Sequence, residues 1–87
     1  MKNYRSRAEI ISQMLEVVME ELEGSTKTKI MYKACLSSTQ LKNYLRLAID
    51  RDLLEQDVLN GSSRYKLTQK GVQYLEMFRQ TRKISEI

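Results

Sequence analysis

The sequence contains no histidine, tryptophan or proline, and it has one cysteine among 87 residues. A single cysteine excludes a disulfide within the chain, and the lack of histidine excludes zinc sites of the Cys/His type. It also removes the side chain that most often acts as a general base. We therefore expect no cofactor, no metal and no enzymatic activity, and we look for a binding function instead.

Long hydrophobic runs are also missing. No stretch of apolar residues exceeds three, as in Val17–Met19, whereas a helix needs about 20 apolar residues to cross a bilayer. The first twenty residues mix basic and acidic side chains, which is not the pattern of a signal peptide. With 41% hydrophobic and 30% charged residues, the chain is typical of one small globular domain, and we expect a cytoplasmic protein.

Positive charge is concentrated in two acid-free segments. Lys and Arg total 15 and Asp and Glu total 11, which gives a net charge of +4. No acid lies between Glu23 and Asp50, or between Asp57 and Glu76, although both intervals contain several basic residues. Such windows indicate a surface that is kept clear for a polyanion. The alternative is that the charge of solvated faces varies by chance.

The first predicted helix runs from Arg7 to Glu23. Ser6 and Glu9 have the spacing of a capping box, in which each side chain accepts a hydrogen bond from the other residue's backbone amide. Apolar residues then recur at helical spacing and predict a buried face formed by Ile11, Met14, Leu15, Val18 and Leu22. Gly24 is expected to cap the end of this helix.

Two further helices are predicted before residue 53. A short helix covers Lys27 to Ala34, and after a tight break a third helix runs from Ser38 to about Asp52. Ser37 and Gln40 form a second capping box at its start. The inner faces are expected to contain Ile30, Met31, Ala34, Leu41, Tyr44, Leu45, Ala48 and Ile49. Two short helices with this connection are typical of a helix-turn-helix.

The pattern then changes to a hairpin and a last helix. Asn60–Gly61 is the strongest turn signal in the chain because both residues tolerate a positive φ. Strands are expected on either side, with Tyr65 and Leu67 on one face, and Thr68 caps the final helix. The fold class is therefore α+β, mainly α. It is a winged helix-turn-helix of residues 5–70 with the wing loop at 59–64, followed by a C-terminal helix over 71–87.

The second helix, the third helix and the wing carry the candidate DNA-binding residues. Asn and Gln can pair with adenine, and Arg or Lys can pair with guanine or phosphate. Hydroxyl groups at a helix start can donate to phosphates. The candidates are Lys27, Lys29, Lys33, Ser38, Thr39, Gln40, Lys42, Asn43, Arg46 and Arg64. The alternatives are an ordinary solvated polar face on the third helix and a plain hairpin turn at the wing.

An apolar stripe on the last helix extends beyond what one small core can cover. It contains Tyr74, Met77, Phe78, Thr81 and Ile84. The stripe predicts a homodimer in which two copies of this helix form an antiparallel coiled coil. The alternative is that the helix end packs back on the first helix. Cys35 lies between Ala34 and Leu36, and we expect a buried structural thiol there.

Two segments resemble a known family. TKTKIMYKA at 26–34 and YKLTQKG at 65–71, together with Leu36–Ser37 and Tyr44–Leu45, are similar to the archaeal winged helix-turn-helix family. That family includes the small dimeric 10a-type DNA-binding proteins of Sulfolobus. The resemblance covers about residues 5–84. The chain departs from the family at Asp52, where glycine is usual, and in a shorter C-terminal helix.

The resemblance implies double-stranded DNA binding without enzymatic activity. It places the third helix, from Ser38 to Arg46, and the wing around Arg64 against the duplex, and it implies dimerisation through the C-terminal coiled coil. The expected role is that of a transcription regulator or a chromatin-type protein. The alternative is a winged helix that docks a partner protein through its last helix and does not bind DNA.

Overall fold

The fold has the predicted order of three helices, a hairpin and a last helix. The computed structural model describes the backbone of residues 5–85 and the side chains of residues 5–81. The elements are α1 (Arg7–Met19), α2 (Lys27–Lys33), α3 (Ser38–Asp50), β1 (Leu54–Leu59), β2 (Ser62–Leu67) and α4 (Gln69–Ser85). None of the helices in this described part is long and apolar enough to cross a membrane.

Both predicted capping boxes are confirmed. The Ser6 hydroxyl accepts from the Glu9 amide at 3.1 Å, and the Ser6 amide donates to Glu9 Oε1 at 2.9 Å. Ser37 and Gln40 make the same reciprocal pair at 3.1 and 3.0 Å. Each cap satisfies amides that have no partner within the helix and contributes about 1 kcal/mol. The starts of α1 and α3 are therefore fixed by local sequence.

The predicted end of α1 is wrong. The helix stops at Met19 rather than Glu23, and Leu22, predicted on the buried face, is 96% exposed. The chain leaves the helix because Ser25 pairs with β2: its backbone N–H and C=O each bond Tyr65 at 2.9 Å. Gly24 has a φ of 96° and precedes this bridge instead of capping the helix. A long-range pairing thus overrides good local helix formers.

The core lies between α1 and the elements that surround it. Met14 and Leu15 of α1 are fully buried, as are Ile30 of α2 and Ala48 of α3. The hairpin contributes Leu54 and Tyr65, and α4 contributes Leu75. Each large apolar side chain gains about 1.5–3 kcal/mol from burial. Burial also raises the pKa of the Tyr65 phenol.

The hairpin is confirmed at the predicted turn. β1 and β2 pair antiparallel from Leu54 opposite Leu67 to Leu59 opposite Ser62. Asn60 and Gly61 have φ values of 53° and 81°, as a two-residue hairpin turn requires. Tyr65 is buried and Leu67 is half-buried. The wing therefore packs by one face on the helices.

The end of α3 and the start of α4 are joined by hydrogen bonds. α3 ends at Asp50, two residues before the predicted position, and Asp52 takes a φ of 62°, a conformation that favours glycine. As predicted, Thr68 caps α4, because its hydroxyl accepts from the Gly71 amide at 2.9 Å; it also donates to the Asp52 carbonyl. A Cβ on Gly71 would lie 2.2 Å from the Leu53 carbonyl oxygen. The backbones approach this closely only because residue 71 is glycine.

Replacing Gly71 by Ala tests that close approach. The methyl group must push α4 away from Leu53, and we expect a loss of about 1–3 kcal/mol of unfolding free energy, or a Tm lower by about 4–8 °C per kcal/mol. Thermal unfolding followed by circular dichroism measures the change. Gln73→Ala, at an exposed position two residues later, is the control and should stay within about 0.5 kcal/mol. Equal Tm values for the two variants would contradict the packing described.

Candidate nucleic-acid interface

α3 has one buried side and one outward side. Leu41, Leu45 and Ala48 are buried against the core. Because successive residues of a helix are rotated by about 100°, the opposite side presents Thr39, Asn43 and Arg46, which are all exposed. These three residues occupy positions i, i+4 and i+7 along the helix. Within residues 5–81, the structure records no hydrogen bond or ion pair of their side chains.

A groove runs along the flank of α3 that faces α2. It has a volume of about 300 Å³, and Lys27 of α2 lies on it together with Ser38 and Lys42 of α3. Met31, Leu41 and Leu45 also line it. Lys27 and Lys42 are exposed, and no acidic residue is among the lining residues. Lys27 of α2 and Lys42 of α3 thus lie beside the hydroxyls and backbone amides of Ser38 and Thr39, an arrangement that suits an anion.

Gln40 is already engaged at the helix start. Its Oε1 accepts from the Ser37 amide in the capping box. A bidentate pair with adenine needs the amide oxygen as well as the amide nitrogen, so Gln40 would have to give up the cap to make it. Asn43 has no such commitment within the described residues. Of the two amides predicted to read bases, Asn43 is therefore the better placed.

Lys29 and Lys33 lie on the other flank of α2, next to two acids. Lys29 Nζ is 2.8 Å from Glu21 Oε1, and Lys33 Nζ is 3.5 Å from Glu20 Oε1. The hydrogen bond and the positive charge of Lys29 lower the pKa of the Glu21 carboxyl. That carboxylate therefore stays ionised at neutral pH, and the pair weakens only as the pH falls through this lowered pKa. Glu20 and Glu21 precede the acid-free segment in the sequence, but the fold places them beside two of its lysines.

The wing carries mixed charge. Asp57 stands opposite Arg64 in the ladder, and Glu55 stands opposite Lys66. Arg64 is half-buried, and its Nη1 donates to the Gly24 carbonyl at 3.4 Å. Cross-strand neighbours of opposite charge attract each other. Arg64 therefore already has partners within the chain, whereas the side chains of Lys42 and Arg46 have none among the described residues.

The near half of α4 packs back on α1. Leu75 is buried, Tyr74 and Phe78 are half-buried, and Arg79 Nη2 lies 3.3 Å from Glu16 Oε2. Met77 is 67% exposed, and Thr81 is exposed with its hydroxyl donating to the Met77 carbonyl at 3.0 Å. The side chain of Ile84 lies outside the described residues. Of the four described residues of the predicted stripe, Tyr74 packs against the core, Phe78 is half-buried, and Met77 and Thr81 are exposed.

A family profile matches almost the whole chain. The profile describes winged helix-turn-helix proteins and matches residues 4–86. The chain belongs to the winged helix-turn-helix family. In this family's terms α2 and α3 form the helix-turn-helix, and the β1–β2 hairpin is the wing. A search of the curated proteins finds no match.

Solved structures share this winged helix fold. Sso10a-2, a DNA-binding protein from Sulfolobus solfataricus, matches with a TM-score of 0.80 at 23% identity, over 94% of this chain and 83% of that one. MepR, a transcription regulator of the Staphylococcus aureus multidrug efflux pump MepA, matches with a TM-score of 0.78 at 19% identity. The match covers 88% of this chain but 58% of MepR. A MepR–DNA complex matches with a TM-score of 0.72 at 19% identity, over 87% of this chain and 57% of that one.

Arg5 holds the helix-turn-helix to α1, a role that sequence reasoning missed. Its guanidinium donates to the Ala34 carbonyl at 2.7 Å, to the Cys35 carbonyl at 2.8 Å and to Gln13 Oε1. A cation at these carbonyls also suits the C-terminal end of α2. No local signal could have shown this, because Arg5 and Ala34 are 29 residues apart.

The prediction for Cys35 is wrong. The residue is exposed rather than buried, and its φ is 55°. The tight turn between α2 and α3 needs a residue in the left-handed region, and this conformation places the thiol outside the core. Its sequence neighbours, Ala34 and Leu36, are apolar and are both buried. Their apolar character is the reason that the sequence predicts a buried Cys35.

Replacing Arg5 by Lys tests whether the Arg5 hydrogen bonds stabilise the turn between α2 and α3. Lysine keeps the charge but cannot reproduce the guanidinium fork that reaches two carbonyls and an amide, so we expect a loss of about 1–2 kcal/mol. Chemical denaturation measures this loss. Arg7→Lys is the matched control, since Arg7 is exposed and makes no recorded side-chain bond within residues 5–81. A loss of the same size in both variants would show that the fork does not matter.

Proposed function

We propose that this protein binds double-stranded DNA, with α3 in the major groove. The observation that carries the proposal is the outward side of α3, where Thr39, Asn43 and Arg46 are exposed and free beside the Lys27–Lys42 groove. A helix of this size fits the major groove. Two proteins of the same fold support the proposal: Sso10a-2 is a DNA-binding protein, and MepR has been solved in complex with DNA.

Each exposed group has a chemical role in this proposal. Asn43 can pair with adenine through two hydrogen bonds, and Arg46 with guanine. Ser38 and Thr39 donate to one phosphate through their hydroxyls and backbone amides, while Lys27 and Lys42 neutralise neighbouring phosphates. Gln40 contributes its free amide NH2. Lys29, Lys33 and Arg64 can contact phosphates only if they first release their present partners, which are two glutamates and the Gly24 carbonyl.

We also propose a homodimer formed through α4. Seventeen residues make a helix about 26 Å long. Positions 74, 77, 81 and 84 follow the three-then-four spacing of a coiled-coil seam, and Phe78 lies beside them. Such a pair would place two copies of residues 5–70 on one duplex. The resulting role is that of a transcription regulator or a chromatin-type protein of the nucleoid, a binding module rather than an enzyme.

A gel-shift titration at two salt concentrations tests DNA binding. With about six to eight cations per dimer on phosphates, log affinity falls with log salt at a slope of roughly −5 to −7. Lys42→Ala and Arg46→Ala should each weaken binding by about tenfold, and Lys42→Ala should also flatten the slope by about 0.9 per lost contact. Lys70→Ala removes one positive charge from the first turn of α4, away from the outward side of α3, and serves as the control. Absence of binding at low salt contradicts the proposal.

The acids beside Lys29 and Lys33 give a prediction of opposite sign. Glu20→Gln combined with Glu21→Gln frees both lysines for phosphates, and we expect several-fold tighter DNA binding with a steeper salt slope. Fluorescence anisotropy with a labelled duplex measures both quantities. Glu76→Gln is the control, as it removes one acid from an exposed position on α4. If affinity rises equally per charge removed in the control, net charge alone explains the effect.

Sedimentation equilibrium tests the dimer. Met77 is largely exposed in one copy, and a dimer would bury it, so Met77→Glu should shift the protein to monomers without a change in Tm at low concentration. Gln73→Glu adds the same charge elsewhere on α4. A protein that is monomeric at all concentrations would favour the alternative in which α4 docks a different protein.

A further inference from the structure

A second cleft lies at the opposite end of α3 from its first turn. It has a volume of about 450 Å³ and is formed where the start of α1, the end of α3 and the start of α4 meet. Ile11, Leu47 and Leu53 give it an apolar wall, and Tyr74 of α4 lines it as well. Its size falls within the range of small-molecule sites, which run from about 300 to 1,000 Å³.

Three cations surround this apolar wall. Arg7 comes from α1, Arg51 caps the end of α3, and Lys70 comes from the first turn of α4. All three are exposed. In the described part of the chain none of them makes an ion pair or side-chain hydrogen bond, and none of the residues that line the cleft is acidic. By contrast, Lys29, Lys33 and Arg79 each form an ion pair with a glutamate.

The positions of two of these cations make the charge imbalance costly. Arg7 and Lys70 lie in the first turns of their helices, where the helix dipole disfavours positive charge. They also add to the field of Arg51. An anion in the cleft would remove this repulsion, while a cation or a neutral molecule would not. Charge and shape together therefore select a ligand with one anionic end and one apolar end.

We propose that the cleft binds a small aromatic carboxylate. The ring lies against Ile11, Leu47 and Leu53, and the carboxylate faces Arg51, Lys70 and Arg7. The cleft is about 20 Å from Ser38 along α3, so this site is separate from the surface proposed to meet DNA.

Isothermal titration calorimetry with 2-naphthoate tests the proposal on the full chain. We expect saturable binding of one molecule per chain, and at least tenfold weaker binding of 2-naphthylmethylammonium, which has the same ring system and the opposite charge. Inorganic phosphate should also bind at least tenfold more weakly, since it gains nothing from the apolar wall. No saturation, or equal affinity for the ammonium compound or for phosphate, would overturn the proposal.

Variants locate the site. Arg51→Gln and Lys70→Gln should each weaken 2-naphthoate binding by about threefold to tenfold, as expected for loss of one charge-assisted hydrogen bond. Arg79→Gln removes a cation outside the cleft and should leave the affinity unchanged. An equal loss in all three variants would place the ligand elsewhere. Thermal unfolding of each variant shows that the chain remains folded.

A final measurement separates this site from the DNA surface. The proposal expects 2-naphthoate to bind with the same stoichiometry whether or not a duplex is present, and it holds even if the protein fails to bind DNA. If a duplex displaces 2-naphthoate, and Arg51→Gln weakens DNA binding to the same degree, the cleft is a phosphate contact of the DNA surface and the proposal is wrong.

Discussion

The burial of one side of α3 is the constraint on which the rest of the structure depends. A helix of 13 residues is marginal by itself in water, so α3 persists because Leu41, Leu45 and Ala48 pack on the core. The same packing fixes the rotation of the helix about its axis. Once those three residues point inward, the helical period leaves Thr39, Asn43 and Arg46 no direction except outward.

Long-range contacts then determine the orientation and the charge of this surface. Arg5 ties the turn between α2 and α3 to the start of α1 through the Ala34 and Cys35 carbonyls. The bridge between Ser25 and Tyr65 ends α1 early and turns the chain toward the hairpin. The same early end places Glu20 and Glu21 beside the lysines of α2. One backbone pairing therefore shapes the fold and also limits which cations are free.

The sequence predicts well whatever local chemistry decides. Ser6 and Ser37 mark the helix starts because a cap needs only residues three positions apart, and Asn60–Gly61 marks the hairpin because the turn itself requires positive φ. The buried side of α3 follows from its period. The end of α1, the exposure of Leu22 and the pairing of Lys29 with Glu21 could not be predicted in this way, since each depends on a partner at least eight residues distant. For the candidate site, the sequence predicts which residue types are present. It does not predict that Lys29 and Lys33 pair with glutamates while Lys42 and Arg46 have no partner among the described residues.

The most direct test of the central claim is a titration of the ¹⁵N-labelled protein with a short DNA duplex at low salt, followed by amide chemical shifts. Our account predicts that the largest changes fall on residues 38–46 and on Lys27, with small changes on α4 and on the outward face of the hairpin. Changes concentrated on α4, with the amides of α3 unaffected, would contradict the claim that the outward side of α3 is the surface that meets DNA.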